Sequence, residues 1–272
     1  MPRPSPSEKG YVDIAGAPHY YEVVGNGYPL VLIHEGIADS RMYDPQVEAF
    51  AAEFQVIRYD VSGFGRSEIP SAPFTNHGVL LGLLQRLGVE RAHLLGMSMG
   101  GGIALDLALT HPEMVSALVL AAAGVGGSTP SSEVRAKWGE IGAALERRDL
   151  DGAVELGLRM WVDGPRRRAD QVDPAVRERL RRMMAANFAR PEVEPRPLEP
   201  PAIERLGDIR VPTLVVVGDS DVPDIVEQAD MLARGITGAR KVVIPGVAHV
   251  PNLERPDDFN RLVLDFLGGV GR

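Results

Sequence analysis

The sequence contains no cysteine among its 272 residues. This absence excludes thiol catalysis, disulfide bonds and thiolate metal ligands. No apolar run approaches the roughly 18 residues that a membrane helix needs, and residues 1–10 lack the apolar core of a signal peptide. We therefore expect a soluble cytoplasmic protein that has no membrane partner.

Positive charge is outnumbered by negative charge, with 29 Lys and Arg residues against 37 Asp and Glu residues, which gives a formal net charge of -8. A protein whose main partner is nucleic acid needs a basic face, so we expect no nucleic-acid partner. The local exception is the run Arg166–Arg168, but acidic residues such as Asp163 and Asp170 are interleaved with it. This pattern predicts a solvated helix surface.

What the sequence does contain is typical of a globular α/β protein, with 44% apolar and 24% charged residues. Tyr11–Ile14 and His19–Val24 alternate and predict an antiparallel hairpin. Short apolar runs then alternate with helical segments, which predicts a mostly parallel sheet with helices on both faces. The predicted strands of this part are Leu30–Ile33, Val56–Asp60, Ala92–Leu95, Ser116–Ala121, Val211–Val217 and Lys241–Ile244.

One block interrupts this alternation. Residues 131–190 have helical patterns with no strand between them, and five prolines follow within Pro191–Pro201. We interpret residues 126–205 as a helical cap inserted into a core formed by residues 11–125 and 206–272. The first ten residues are predicted to be a flexible tail.

The segment Gly96–Gly100 reads Gly-Met-Ser-Met-Gly and lies between a predicted strand and a predicted helix. In that context a G-x-S-x-G pattern predicts a nucleophile elbow, in which a strained turn exposes the hydroxyl of Ser98. The alternative is an ordinary Gly-Ser loop.

A serine hydroxyl needs a base, and the base needs an orienting carboxylate. His249 follows the predicted strand that ends at Ile244, and Asp219, Asp221 and Asp224 follow the strand that ends at Val217. Ligands of open α/β sheets bind at the carboxyl ends of the strands, so these groups are expected near Ser98.

Together these motifs resemble those of the α/β-hydrolase superfamily, and most closely those of its small-cap bacterial esterases and enol-lactonases. The matching segments are the His34 loop, Tyr59-Asp60 with Gly63–Ser67, Gly96–Gly100, Gly218-x-x-Asp221 and Gly246-x-x-His249. The resemblance implies the α/β-hydrolase fold, with a mostly parallel central sheet and a helical cap insertion.

The resemblance also implies roles for single residues. Ser98 would be the nucleophile, His249 the base and then the acid, and Asp221 the orienting carboxylate, with Asp219 and Asp224 as competitors. The backbone N–H groups of Met99 and Gly36 would form the oxyanion hole. His34 would fix the conformation of its loop.

Glu35 departs from the family pattern, which has a small residue directly after the histidine. We expect its carboxylate to face solvent or to pair with Arg41 or Arg66. If it faced the pocket instead, it would disfavour anionic substrates or act as a second acid-base group.

The tentative pocket residues are Glu35, Ile37, Trp138, Trp161 and Met184, although each large cap residue could instead be buried in the cap's own core. The expected function is hydrolysis of small to medium apolar esters or lactones through an acyl-enzyme. Alternatives are hydrolysis of a carbon-carbon bond in a ring-cleavage diketone, a cofactor-free perhydrolase, or a ligand receptor. No cofactor or metal is implied, and a homodimer is compatible with the sequence.

Overall fold

The computed structural model describes residues 8–270. In this part of the chain one sheet has eight strands in the order β1-β2-β4-β3-β5-β6-β7-β8. Their bounds are β1 Glu8–Ile14, β2 Ala17–Val24, β3 Tyr28–Ile33, β4 Phe54–Tyr59, β5 Ala92–Met97, β6 Val115–Ala121, β7 Thr213–Gly218 and β8 Arg240–Ile244. β2 is antiparallel to β1 and to β4, and all the other pairs are parallel.

The N-terminal hairpin is confirmed, but the prediction of a flexible tail up to residue 10 is wrong for its last residues. Glu8–Gly10 belong to β1 and pair with Tyr21–Val23 of β2. The Tyr21 hydroxyl also donates a hydrogen bond to Glu8 Oε1 at 3.0 Å. Backbone pairing therefore orders this segment, and residues 1–7 lie outside the described part of the chain.

Helices cover both faces of the sheet. Their bounds are α1 Asp44–Ala51, α2 Asn76–Arg86, α3 Met99–Thr110, α4 Ser132–Glu146, α5 Leu150–Gly157, α6 Pro174–Phe188, α7 Pro223–Gly235, α8 Pro251–Glu254 and α9 Pro256–Gly268. Apolar residues of α2, α3 and α7 pack on one face, and those of α1 and α9 pack on the other. Strand residues such as Leu94 and Leu95 point alternately into the two cores, which is why the central parallel strands are mainly apolar.

Between β6 and β7 the chain contains no strand; its longer helices are α4, α5, a π-helix at Leu158–Asp163 and α6, and an irregular proline-rich segment follows α6. The side chains of Ser131, Asp149 and Asp173 accept hydrogen bonds from the first turns of α4, α5 and α6. We keep 126–205 as the proposed limits of the cap. Within residues 8–270, no helix is both long and apolar enough to cross a membrane.

Candidate active site

Ser98 occupies the sharp turn between β5 and α3. Its backbone has φ 51° and ψ -114°, a strained conformation for a residue with a side chain. Four backbone hydrogen bonds hold it there: the Ser98 N–H donates to Ala121 O at 3.0 Å, and the Ser98 carbonyl accepts from the N–H groups of Gly101 at 2.9 Å, Gly102 at 3.2 Å and Gly124 at 3.1 Å. The turn is therefore fixed from three sides by the backbone of its neighbours.

The two glycines of the motif are required by the close approach of β5, α3 and β3. A Cβ atom on Gly96 would overlap the backbone carbonyl of Gly100, and one on Gly100 would overlap the carbonyl of Ile33. These overlaps involve backbone atoms, which cannot move aside as a flexible side chain can. The spacing of the glycines thus follows from the geometry that presents Ser98.

The structure brings His249 and Asp221 together at the same end of the sheet. His249 Nδ1 lies 2.9 Å from Asp221 Oδ2, and Asp221 Oδ1 accepts from the Val222 N–H at 2.8 Å. Asp219 instead accepts from the Gly246 N–H, and Asp224 accepts from the Ser131 N–H. Of the three candidate carboxylates, only Asp221 contacts the histidine.

His249 is also held by the cap. The backbone N–H of His249 donates to the backbone carbonyl of Trp161 at 3.2 Å. The centroids of the Trp161 ring and the His249 imidazole are 4.6 Å apart. Burial lowers the pKa of His249, but the charge and hydrogen bond of Asp221, together with the charge of Glu35, raise it by more, so the net pKa lies above its usual value. The imidazolium form is therefore stabilised in this site.

Trp161 lies in the π-helix Leu158–Asp163. Arg167 connects the end of this helix to the histidine loop, which is the loop after β8 that carries His249. The Arg167 guanidinium pairs with Glu254 at 2.5 Å and donates to the carbonyls of Val162 and Gly246. The Arg167 side chain is only 9% exposed. The prediction that the 166–168 run is a solvated surface is therefore wrong for Arg167, because it has buried acceptors, whereas Arg168 is 75% exposed.

The loop after β3 is fixed by His34, as predicted. His34 Nδ1 lies 2.7 Å from the Glu35 carbonyl, and the Val61 N–H donates to His34 Nε2 at 2.9 Å. Burial lowers the pKa of His34, which favours the neutral ring that these two bonds need. The loop places Gly36 against the elbow, since a Cβ atom on Gly36 would lie 4.0 Å from Met99 Cβ.

The expectation for Glu35 is wrong, because its side chain is fully buried and faces the site. Glu35 Oε2 lies 3.7 Å from His249 Nε2. Arg41 and Arg66 are unavailable because they pair with Asp39 at 2.6 Å and with Asp60 at 2.9 Å. Burial, reinforced by the charge of Asp221 and opposed by that of His249, raises the pKa of Glu35 to about 7.

Two cavities meet at Ser98. The larger has a volume of about 640 Å³ and the smaller one of about 380 Å³, both within the range of small-molecule sites. Ser98, Met99, Trp138 and Trp161 line both cavities, and Glu35, Gly36, Ile37 and His249 line the larger one. Within residues 8–270 the side-chain hydrogen bonds of His249 run to Asp221 and not to Ser98; catalytic hydrogen bonds often tighten only when substrate binds.

Met184 is not among the residues that line these cavities. It is fully buried in the interior of the cap, with its sulfur against Gly157. Asn187 and Arg190, which sequence reasoning missed, do line the larger cavity. Their position at the end of α6, just before the proline-rich segment, is the signal that could have pointed to them.

In the part of the chain that the structure describes, no three His, Asp or Glu side chains cluster as a metal site requires. The groups gathered at His249 are the carboxyl groups of Asp221 and Glu35, and the cavity that His249 shares with Ser98 is also lined by Asn187 and Arg190. This set is suited to moving protons and to stabilising negative charge on an oxygen atom.

Comparison with known proteins agrees with this geometry. Residues 30–262 match the model of the alpha/beta hydrolase family. The chain is 32% identical over 260 residues to RutD of Azorhizobium caulinodans, which is named for carbamate hydrolysis, and the match covers 92% of this chain and 95% of that protein. It is 30% identical over 263 residues to a 2-hydroxy-6-oxononadienedioate/2-hydroxy-6-oxononatrienedioate hydrolase of Paraburkholderia phymatum, covering 92% and 90%.

Among solved structures, the enol-lactonase of Burkholderia xenovorans LB400 superimposes with a TM-score of 0.77. It is 28% identical, and the match covers 95% of this chain and 100% of that one.

Proposed function

This chain belongs to the alpha/beta hydrolase family, and we propose that it is a serine hydrolase which cleaves esters or lactones of small to medium apolar molecules. The observation that carries the proposal is the hydrogen bond of 2.9 Å between His249 and Asp221 at the cavity that Ser98 also lines. A nucleophile, a base and an orienting acid are the three groups that acyl transfer through serine requires.

In the proposed acylation step Ser98 Oγ attacks the substrate carbonyl and its proton moves to His249 Nε2. Asp221 holds the other ring nitrogen, and its charge stabilises the imidazolium that forms. The negative charge on the former carbonyl oxygen is stabilised by the N–H groups of Met99 and Gly36. When the bond to the leaving oxygen breaks, the proton that His249 gained from Ser98 passes to that oxygen, so His249 is neutral again and an acyl-enzyme remains.

A water molecule then attacks the acyl carbon, His249 accepts its proton, and the proton returns to Ser98 Oγ as the acid is released. The two cavities suggest how a substrate is divided. One part of the ester lies in the cavity of about 640 Å³ and the other in that of about 380 Å³, on either side of Ser98. The walls of both are mainly apolar, which supports an uncharged substrate.

The test combines covalent labelling with turnover. We expect a fluorophosphonate to label the wild-type protein at Ser98, and Ser98→Ala and His249→Ala each to lower kcat for p-nitrophenyl butyrate by about ten-thousandfold. Asp221→Asn should cost about a thousandfold or more, whereas Asp219→Asn, a matched change on the same loop, should cost less than about threefold. Failure of the folded protein to label, or turnover by Ser98→Ala, would contradict the proposal.

One observation favours the carbon-carbon alternative. The relative from Paraburkholderia phymatum is named for a dienedioate, which carries two carboxylates. Arg190 lines the larger cavity, where its guanidinium could contact a carboxylate while Nη1 donates to the carbonyls of Gly63 and Ser67. Glu35 opposes an anionic substrate in the same cavity. Parallel assays of a neutral ester and a ring-cleavage dienedioate would separate the two functions, and faster turnover of the dienedioate would favour the alternative.

A further inference from the structure

Glu35 is a buried carboxyl group that the serine, histidine and aspartate do not explain. Neither of its oxygens has a hydrogen-bond partner among residues 8–270, although the side chain is fully buried. Buried polar atoms are nearly always paired, and an unpaired carboxylate is costly. Because Glu35 lines the larger cavity, these two oxygens are open to whatever binds beside Ser98.

The position of Glu35 relative to His249 narrows its role. The 3.7 Å distance runs to His249 Nε2, and Nδ1 is already bonded to Asp221. Nε2 is therefore the nitrogen that exchanges protons with Ser98, with the leaving group and with water. An oxygen atom of the leaving group that is close enough to His249 Nε2 to receive its proton is therefore also close to the Glu35 carboxyl group.

We propose, on the basis of the function proposed above, that Glu35 is a second acid-base residue, which shares a proton with His249 and protonates the leaving oxygen of poor leaving groups. As Ser98 Oγ bonds to the acyl carbon, its proton goes to His249 Nε2. As the bond from the acyl carbon to the leaving oxygen breaks, that oxygen takes the proton of the Glu35 carboxyl group. His249 then returns its proton to the Glu35 carboxylate, so the protons balance. Substrates with alkoxide leaving groups are therefore the class that this site favours.

The electrostatic surroundings of Glu35 are consistent with a proton held there at neutral pH. His249 faces it from the loop after β8, Asp221 from the loop after β7, and Tyr43 from the turn before α1. Burial and Asp221 raise the pKa of Glu35, and His249 lowers it, to about 7. The Tyr43 hydroxyl donates to the Ile33 carbonyl at 3.0 Å, and its own pKa is raised well above the usual value, so it does not titrate near neutrality.

The experiment compares ethyl butyrate with p-nitrophenyl butyrate, which share one acyl group. A p-nitrophenolate leaves without a proton, whereas an ethoxide does not. Glu35→Gln should lower kcat/KM for the ethyl ester by about ten- to a hundredfold and for the p-nitrophenyl ester by less than about threefold. Glu35→Asp should restore part of the loss, and Glu192→Gln, which removes an exposed carboxylate at the same cavity, should leave the ratio of the two rates unchanged.

Two further measurements separate this role from a structural one. The proposed acid must be protonated, so kcat/KM of the wild-type protein for the ethyl ester should fall as the pH rises above about 7, and Glu35→Gln should lose this alkaline limb. The infrared absorption of a protonated carboxyl group should be present in the wild-type protein at neutral pH and absent from the variant.

Equal losses on both esters, or no change on either, would overturn the role of Glu35 while Ser98 still labels with the fluorophosphonate. If Ser98 fails to label in the wild-type protein, the proposed function itself is wrong, and the role of Glu35 falls with it.

Discussion

The free energy of unfolding should depend on pH through the titration of the Glu35 side chain. Its pKa is raised from 4.5 to about 7 by burial, so the folded protein binds a proton there that the unfolded chain has already lost. A raised pKa contributes stability that is fully present below about pH 4.5 and is lost as the pH rises through about 7. The full shift corresponds to roughly 3 kcal/mol.

We therefore predict that Glu35→Gln gains stability over the wild type by about 2 to 3 kcal/mol when the pH is raised from about 5 to about 8.5. The reason is that glutamine never takes on the buried charge. Denaturant unfolding at the two pH values measures the effect. Glu192→Gln, at an exposed site, is the control and should show no such change with pH; a Glu35→Gln difference that is also independent of pH would contradict the prediction.

The contrast between Glu35 and Asp221 shows what a sequence can say about single side chains. Asp221 was predictable because its place after Gly218 fixes it at a strand end, and the structure pairs it with His249. The direction in which the Glu35 side chain points depends on how the loop after β3 turns. It also depends on Arg41 and Arg66, which pair with other carboxylates instead of Glu35. Asp39 is two residues from Arg41, and it binds that arginine in a way that no pattern in the sequence reveals.

Whole strands and helices were easier to predict than the segments that hold the site together. Buried parallel strands are continuous apolar runs, so β3 and β5–β7 stand out in the sequence. The π-helix Leu158–Asp163 and the single turn α8 have no periodicity of their own. Yet these two short elements flank His249.

The ion pair between Arg167 and Glu254 connects the π-helix to α8. Glu254 Oε1 also accepts a hydrogen bond from the Ala248 N–H at 2.9 Å, so the same carboxylate holds the residue before His249. We predict that Glu254→Gln destabilises the protein by about 3 kcal/mol, since it leaves the buried Arg167 charge without its partner. It should also lower kcat, because Ala248 precedes His249, the proposed catalytic base. The measurement is denaturant unfolding at neutral pH, together with turnover of an ester.

The neighbouring pair of Arg168 and Asp170 is a matched control, with side chains 75% and 69% exposed. Asp170→Asn should change the free energy of unfolding by less than about 0.5 kcal/mol. Equal effects of the two substitutions would show that the Arg167 pair does not hold the histidine loop.

At the scale of the molecule, the helices that we propose as a cap and the core around the sheet both line the candidate site. Trp138 and Trp161 of the cap line the same cavities as Ser98, and Asn187 at the end of α6 donates to the Ala38 carbonyl of the core at 2.8 Å. The sequence predicted a cap over the site, but not which of its residues face down. Met184 and Trp161 are both large and apolar, and only packing decides that Met184 is buried while the Trp161 ring lies tilted against His249 at an interplanar angle of 42°.

Charge acts on substrates at two distances in this molecule. The net charge of -8 repels anions that approach the protein from solvent, and salt screens this repulsion over a Debye length of about 8 Å at physiological ionic strength. The Glu35 carboxylate acts inside a cavity, where salt screens its charge poorly. For two esters that differ only in a distal carboxylate, kcat/KM of the anionic one should rise about two- to fivefold between about 0.02 and 0.3 M NaCl, and that of the neutral one should stay constant. With p-nitrophenyl esters at about pH 8.5, where Glu35 is ionised and the leaving group needs no proton, the anionic ester should be faster in Glu35→Gln at every salt concentration. The dependence on salt should stay as in the wild type. If salt has no effect on the anionic ester, the long-range field does not select substrates; if Glu35→Gln removes the dependence on salt, the buried carboxylate accounts for the whole effect.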